Sequence, residues 1–235
     1  MSSCTDQPPA EVHRWLAEAT QRLLGHTIGI SENDWHEPTA LPGWTRARLA
    51  THLARNADYL TNTLTAIEAG EPQPERPSAT EERRILDEGA DRSGLELQID
   101  LDTSAGALQR AIDAVTDWTG ASVVLHGRPW PLDRLPLARL NELELHHYDL
   151  DPEWDLNSLS PNEAGWLLRW VVDRRRQEQL GSITVVSPSV RCELGDGEPG
   201  LEVRGSEVEL WLWLSGRGPV GQIDGAGDTV LPLLS

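Results

Sequence analysis

Arg139-Leu140-Asn141-Glu142-Leu143-Glu144-Leu145-His146-His147-Tyr148-Asp149-Leu150 is the stretch on which the architecture turns. It holds no Gly or Pro, and leucines recur at 137, 140, 143 and 150, so it reads as a helix. Residues four apart share a helix face. Glu142 and His146 are four apart and Asp149 lies three further on, so a carboxylate, an imidazole and a second carboxylate line one ridge. A helix in a bundle normally turns its acids to water. A Glu/His ridge turned inward is a recognised way for a bundle to hold a divalent metal. The opposite reading is that Glu/His pairs at this spacing are ordinary helix decoration. Glu144 lies nearly opposite Glu142, so only one of these glutamates can face a site, and His147 competes with His146.

A third ligand has to come from elsewhere. The best candidate is His52, in a segment where Leu49, Leu53 and Leu60 alternate with polar positions at helical spacing. His52 and Asn56 share a face. Two histidines and one glutamate leave a tetrahedral ion one open position, the pattern of a catalytic zinc site.

The 235 residues allow one large domain or two modest ones with a real core. No apolar run approaches a membrane span and the N-terminus lacks a signal pattern, so a soluble cytoplasmic protein is expected. The net charge of −18 argues against a nucleic-acid partner. An anionic substrate would need a local positive site within that field. The chain has no lysine, which excludes Schiff-base chemistry, a P-loop lysine and a lysine general base. It has no phenylalanine either, so ten tryptophans carry the aromatic bulk. Cys4 and Cys192 are far apart and imply neither a disulfide framework nor a thiolate zinc site.

Outward from the central stretch, a first helix is expected over 10–24, closed by Gly25. Residues 31–42 read as a loop, Thr45 as the cap of the helix carrying His52, and 71–79 as a proline-rich loop. Helix over 80–118 is expected to be broken, because it holds Gly89, Gly94 and Gly106. Residues 121–131 read as a short extended arm. Four helices with an inward Glu/His pair describe a bundle.

The character changes past the linker at 152–161. A helix over 162–179 precedes strands at 183–186, 190–194 and 201–203, with Gly195-Asp196-Gly197 as a hairpin signal. The run 208–214 alternates like a strand, but Ser206 and Glu209 form a capping box and Gly216 a stop, so it is assigned as helix with Arg217 at its end.

Three motifs in this order resemble a known family. Pro42-Gly43-Trp44-Thr45-Arg46, followed by His52 and Arg55-Asn56-Ala57, resembles the N-terminal signature of the mycothiol-dependent maleylpyruvate isomerases. These belong to the larger set of DinB-like metal-binding four-helix bundles. Arg139, Glu142, His146 and Asp149-Leu150 resemble the second signature, with Asp151 where a glycine is usual. Leu212-Trp213-Leu214-Ser215-Gly216-Arg217, then Gly225 and Asp228, resembles the family's small sterol-carrier-like α/β domain. The resemblance covers nearly the whole chain. It implies an α+β protein, with a bundle domain over 1–153 and a small α/β domain over 160–235. It also implies zinc ligands at His52, Glu142 and His146 and an active-site arginine at Arg217.

The implied cofactors are zinc and mycothiol, and the implied partners are a low-molecular-weight thiol and a small anionic or electrophilic substrate. A thiol near neutral pH is mostly protonated, and a zinc ion on two imidazoles and one carboxylate would lower its pKa. The sulfur adds to the cis double bond of maleylpyruvate, the resulting enolate rotates about what is now a single bond, and elimination of the thiol leaves fumarylpyruvate. Arg217 would pair with a substrate carboxylate or stabilise the enolate. Asn56 and Asp149 are expected to orient ligands, and Arg139, one turn before Glu142, to form an ion pair with it. Three alternatives remain: a mycothiol S-transferase that retains the conjugate, a non-catalytic metal-binding protein, and a zinc hydrolase.

Overall fold

A computed structural model of the chain describes residues 7–151, 153–176, 178, 180–195, 200–218 and 223–234. It divides into two units, His13–Trp154 and Met1–Val12 with Asp155–Ser235. Cys4 and the Asp196-Gly197 turn signal lie outside the described residues.

The first unit is helical. Helix α1 (Glu11–Thr27) buries Trp15, Leu16, Ala19 and Leu23 on one stripe. Gly25 does not close it. The helix runs one further turn, where the Thr27 hydroxyl donates back to the Leu24 carbonyl at 3.0 Å. Helix α2 (Arg46–Glu68) starts where expected, with the Thr45 side chain accepting from the Arg48 amide.

The long third region divides into α3 (Ala79–Ala90) and α4 (Gly94–Ala114). The break comes from Ser93, which closes a capping box with Glu96. Gly106 stays inside α4. Gly94 serves packing: a Cβ there would lie 2.4 Å from Trp35 Cδ1. Gly89 does the same on α3, where a Cβ would come within 2.2 Å of Thr51 Cγ2 on α2.

The extended arm is a hairpin, β1 (Ser122–Leu125) antiparallel to β2 (Arg128–Pro131). Its two-residue turn puts both His126 and Gly127 at positive φ, the mirror-image turn that suits a twisted hairpin. Helix α5 (Leu135–Leu150) follows, buried nearly all round. Helix α2 packs on α3, α4 and α5. Among the described residues no helix is long and apolar enough to cross a membrane.

The second unit carries α6 (Pro161–Arg175), begun by a Ser160 cap. A three-stranded sheet follows, made of β3 (Ile183–Val186), β4 (Arg191–Leu194) and β5 (Leu201–Arg204). The order is β4-β3-β5, with β4 antiparallel and β5 parallel to β3. β4 and β5 are therefore not neighbours, so among the described residues the expected hairpin between them is absent. Cys192 on β4 is buried and disulfide-bonded, against the expectation that the cysteines form no disulfide. Helix α7 (Glu207–Leu214) replaces the strand that alternation alone would give. Both bonds of its Ser206/Glu209 capping box form, and Trp211 and Trp213 are buried. Helices α6 and α7 pack together, tied by Arg175 Nε donating to the Leu214 carbonyl at 2.7 Å.

Candidate metal centre

Helices α2 and α5 face each other, and the ridge of α5 meets the polar face of α2. His52, Glu142 and His146 each bring one ligand atom into a group whose members lie within 4.8 Å of one another. His52 Nε2 is 2.6 Å from Glu142 Oε1, and His146 Nε2 is 3.3 Å from the same oxygen. The two imidazole rings stand nearly perpendicular, with centroids 5.0 Å apart. Ligand atoms around a tetrahedral zinc sit about 3.4 Å apart, as follows from metal–ligand lengths near 2.1 Å. The His146–Glu142 separation fits that edge. The closer His52–Glu142 pair is a hydrogen bond that would open to admit an ion. Two nitrogen donors and one oxygen donor suit zinc over a harder cation.

Asp149 lies behind His146, with Oδ2 2.8 Å from His146 Nδ1. A carboxylate there holds the proton on Nδ1 and leaves Nε2 to face the other ligands. Trp44 stands edge-on to His52 at 5.5 Å, and the Arg48 guanidinium lies over its indole at 5.2 Å. Trp44 stood in a signature with no task of its own. This contact gives it one, as a wall against the His52 ring.

The charges are strongly coupled. Burial opposes ionisation of Glu142, but the imidazoles of His146 and His52 outweigh it and hold its pKa well below the ordinary carboxylate value. Burial also opposes the charged form of His146, yet Glu142 and Asp149 raise its pKa to about 9. With Glu142 held ionised and His146 held protonated at neutral pH, a divalent ion can enter by displacing the His146 proton.

Two expectations need correction. Arg139 does not pair with Glu142. Its Nη1 donates to the Leu53 carbonyl at 3.1 Å and to Asn56 Oδ1 at 2.9 Å. Asn56 accordingly holds Arg139 and, among the described residues, bonds to none of the three candidate ligands. The missed signal was spacing: Asn56 is four after His52 on α2, and Arg139 three before Glu142 on α5.

The competing residues of the central stretch lie on the other side of α5, and they too are buried. Glu144 accepts from Arg22 Nη2 at 2.5 Å. His147 Nε2 is 2.8 Å from His26 Nδ1, and its ring stacks on Trp154 at 3.7 Å. Burial, with His26 and Arg22 nearby, lowers the His147 pKa to about 3.

Arg217 belongs to the other unit. It follows α7 and donates from Nη1 to the Ser215 carbonyl at 2.9 Å.

Crystal structures described as the mycothiol-dependent maleylpyruvate isomerase, and as a mutant of it, share this fold. They superpose with TM-scores of 0.87 and 0.86, cover 100% of both chains, and are 21% and 20% identical. No curated protein sequence matches the chain. Residues 16–151 match the family model described as the mycothiol maleylpyruvate isomerase N-terminal domain. That match takes in more than half of the chain, from α1 through the whole of α5 with every residue of the His52, Glu142 and His146 cluster, and the chain therefore belongs to the mycothiol maleylpyruvate isomerase family.

Proposed function

We propose that this chain is a zinc- and mycothiol-dependent cis–trans isomerase of a maleylpyruvate-type substrate, working in the cytoplasm. The observation that carries the reading is the convergence of His52, Glu142 and His146 from two helices of a family named for that reaction. When bound, zinc supplies the charge that keeps a thiol ionised, and the thiol supplies the nucleophile that opens and recloses the double bond.

The chain's own groups prepare this. His52 and His146 each offer Nε2, with the His146 tautomer fixed by Asp149. Glu142 adds only one negative charge, so two neutral imidazoles and a carboxylate leave a divalent ion net positive. Arg217 is assigned to a substrate carboxylate or to the enolate oxygen, on the resemblance of its segment. We assign the metal chemistry to a domain over 1–153 and Arg217 to a second over 160–235.

The test supplies zinc-loaded protein with mycothiol and maleylpyruvate and follows the cis alkene. Turnover to fumarylpyruvate that needs both zinc and thiol is expected. A stable thiol conjugate with no trans product would make the chain an S-transferase. Turnover without thiol would make water the nucleophile, and zinc binding with no turnover would leave a binding protein.

A further inference from the structure

We propose that Arg139 forms an anion subsite that takes a carboxylate of a small dicarboxylic substrate one helical turn from the metal ligands. The proposal rests on the reading of this site as one that acts on an anionic molecule.

Arg139 is 3% exposed, so its guanidinium is a buried cation. Burial lowers its pKa to about 10, which still leaves it charged at neutral pH. Both of its hydrogen bonds leave from Nη1, and both acceptors, the Leu53 carbonyl and Asn56 Oδ1, are neutral. No carboxylate among the described residues is paired with it. Glu142 and Asp58 act on it only through space, and Asp58 itself pairs with Arg55 at 3.0 Å. Other arginines of the same unit are more exposed and yet hold carboxylates: Arg22 with Glu144, Arg48 with Asp87, and Arg55 and Arg92 with Asp100. A buried charge is costly unless a partner meets it. Here the cheapest explanation is that the partner arrives with a ligand.

The free edge has the right form. Nε and Nη2 take no hydrogen-bond partner among the described residues. Those two nitrogens make the side-on fork of a guanidinium, which accepts a carboxylate through two parallel hydrogen bonds.

The place is also right. His52 and Glu142 form one rung between α2 and α5, and Asn56 and Arg139 form the next. One turn of helix, about 5.4 Å, separates them. A short diacid whose alkene lies beside the metal ligands has a carboxylate within that reach. In a chain of net charge −18, a fixed cation at this point also selects the anion against the surrounding field.

The experiment titrates zinc-loaded full-length protein with maleate and with its neutral diamide by calorimetry, in wild type, Arg139→Lys, Arg139→Gln and Arg217→Gln. Maleate is expected to bind wild type at least tenfold more tightly than the diamide. Both Arg139 variants should weaken maleate tenfold or more while zinc stoichiometry stays at the wild-type value. Arg139→Lys keeps a donor for the Leu53 carbonyl and a positive charge, so it serves if Arg139→Gln fails to fold. In turnover it should raise KM for a diacid far more than it lowers kcat.

Maleate binding to Arg139→Lys within twofold of wild type would overturn the subsite. So would a wild type that does not prefer maleate, or a loss confined to Arg217→Gln. Dicarboxylate binding that needs Arg139, in a protein that isomerises nothing, would sink the isomerase reading and leave the subsite standing.

Discussion

Helix α5 carries two Glu/His sets on opposite sides, and among the described residues only one of them brings three possible ligand atoms together. On the α2 side, Glu142 meets two imidazole nitrogens, and no arginine is paired with it among the described residues. On the α1 side, Glu144 already holds Arg22, and the two imidazoles of His26 and His147 bond to each other. The second set is closed: its anion has a cation and its histidines satisfy one another, so His147 stays neutral. The first set is open, because a carboxylate held ionised and two Nε2 atoms converge on one point. What separates a candidate metal centre from a buried polar knot is therefore whether an arginine of the chain already holds the carboxylate.

The sharpest way to break this comparison is to truncate the two adjacent histidines in turn. His146→Ala should weaken zinc binding by on the order of 100-fold or more, since even outer partners of a ligand are worth 10–100-fold. His147→Ala should keep full zinc stoichiometry but lose roughly 2–3 kcal/mol of stability, through a cavity and an unpartnered His26. Metal analysis and urea unfolding read the two outcomes. Zinc lost from both variants, or from neither, would mean the two sides do not differ as described.

A smaller effect is expected one shell out. Asp149→Asn removes the charge behind His146, and zinc affinity should fall about 10–100-fold. Glu144→Gln, on the closed side, should leave that affinity unchanged. Competition with a chromophoric chelator measures both.

The smallest effect is in pH. The unfolded His147 takes up a proton below its ordinary pKa of 6.5, whereas in the folded protein it does so only near 3. Between those values the unfolded state binds more protons, so stability falls with falling pH, by about 1 kcal/mol from roughly pH 7 to 5.5. His146 has the opposite sign. Its raised pKa stabilises the metal-free fold below 6.5, and that contribution is lost as pH rises through about 9. Unfolding of chelated protein across this range should show the acid limb flattened by His147→Asn and the alkaline limb by Asp149→Asn. A profile unmoved by either change would remove the electrostatic contrast.

Local chemistry was legible in the sequence where it is set locally. Thr45 and the Ser206/Glu209 box mark helix starts because a cap needs only neighbours in the chain. The Glu142/His146 ridge followed from spacing, and His52 from its place on a second amphipathic segment. Which side of α5 faced the site was harder to read, because its leucines leave no clearly polar face and both sets are buried. The decision lies in α1, which delivers Arg22 and His26 from more than a hundred residues away. Gly25 misled because one glycine costs a helix only about 1 kcal/mol, which packing on either side can offset. Partner choice in the small sheet is equally non-local: β5 lies beside β3, and the sequence around Gly195 carries no sign of it. The Asn56–Arg139 rung escaped because a charged residue near Glu142 invites an ion pair, and only the facing helix reveals the neutral acceptors.

The contact between Gly89 and Thr51 has a consequence for how this protein can change. Thr51 sits one residue before His52, and the backbone of α3 reaches it so closely that even a methyl group at 89 would force the helices apart. The position with nothing on it thus governs how closely α3 can lie against the stretch of α2 that carries His52. Random variation at 89 should be tolerated far less than its distance from the candidate site would lead one to expect, because any side chain there must push α3 away from Thr51.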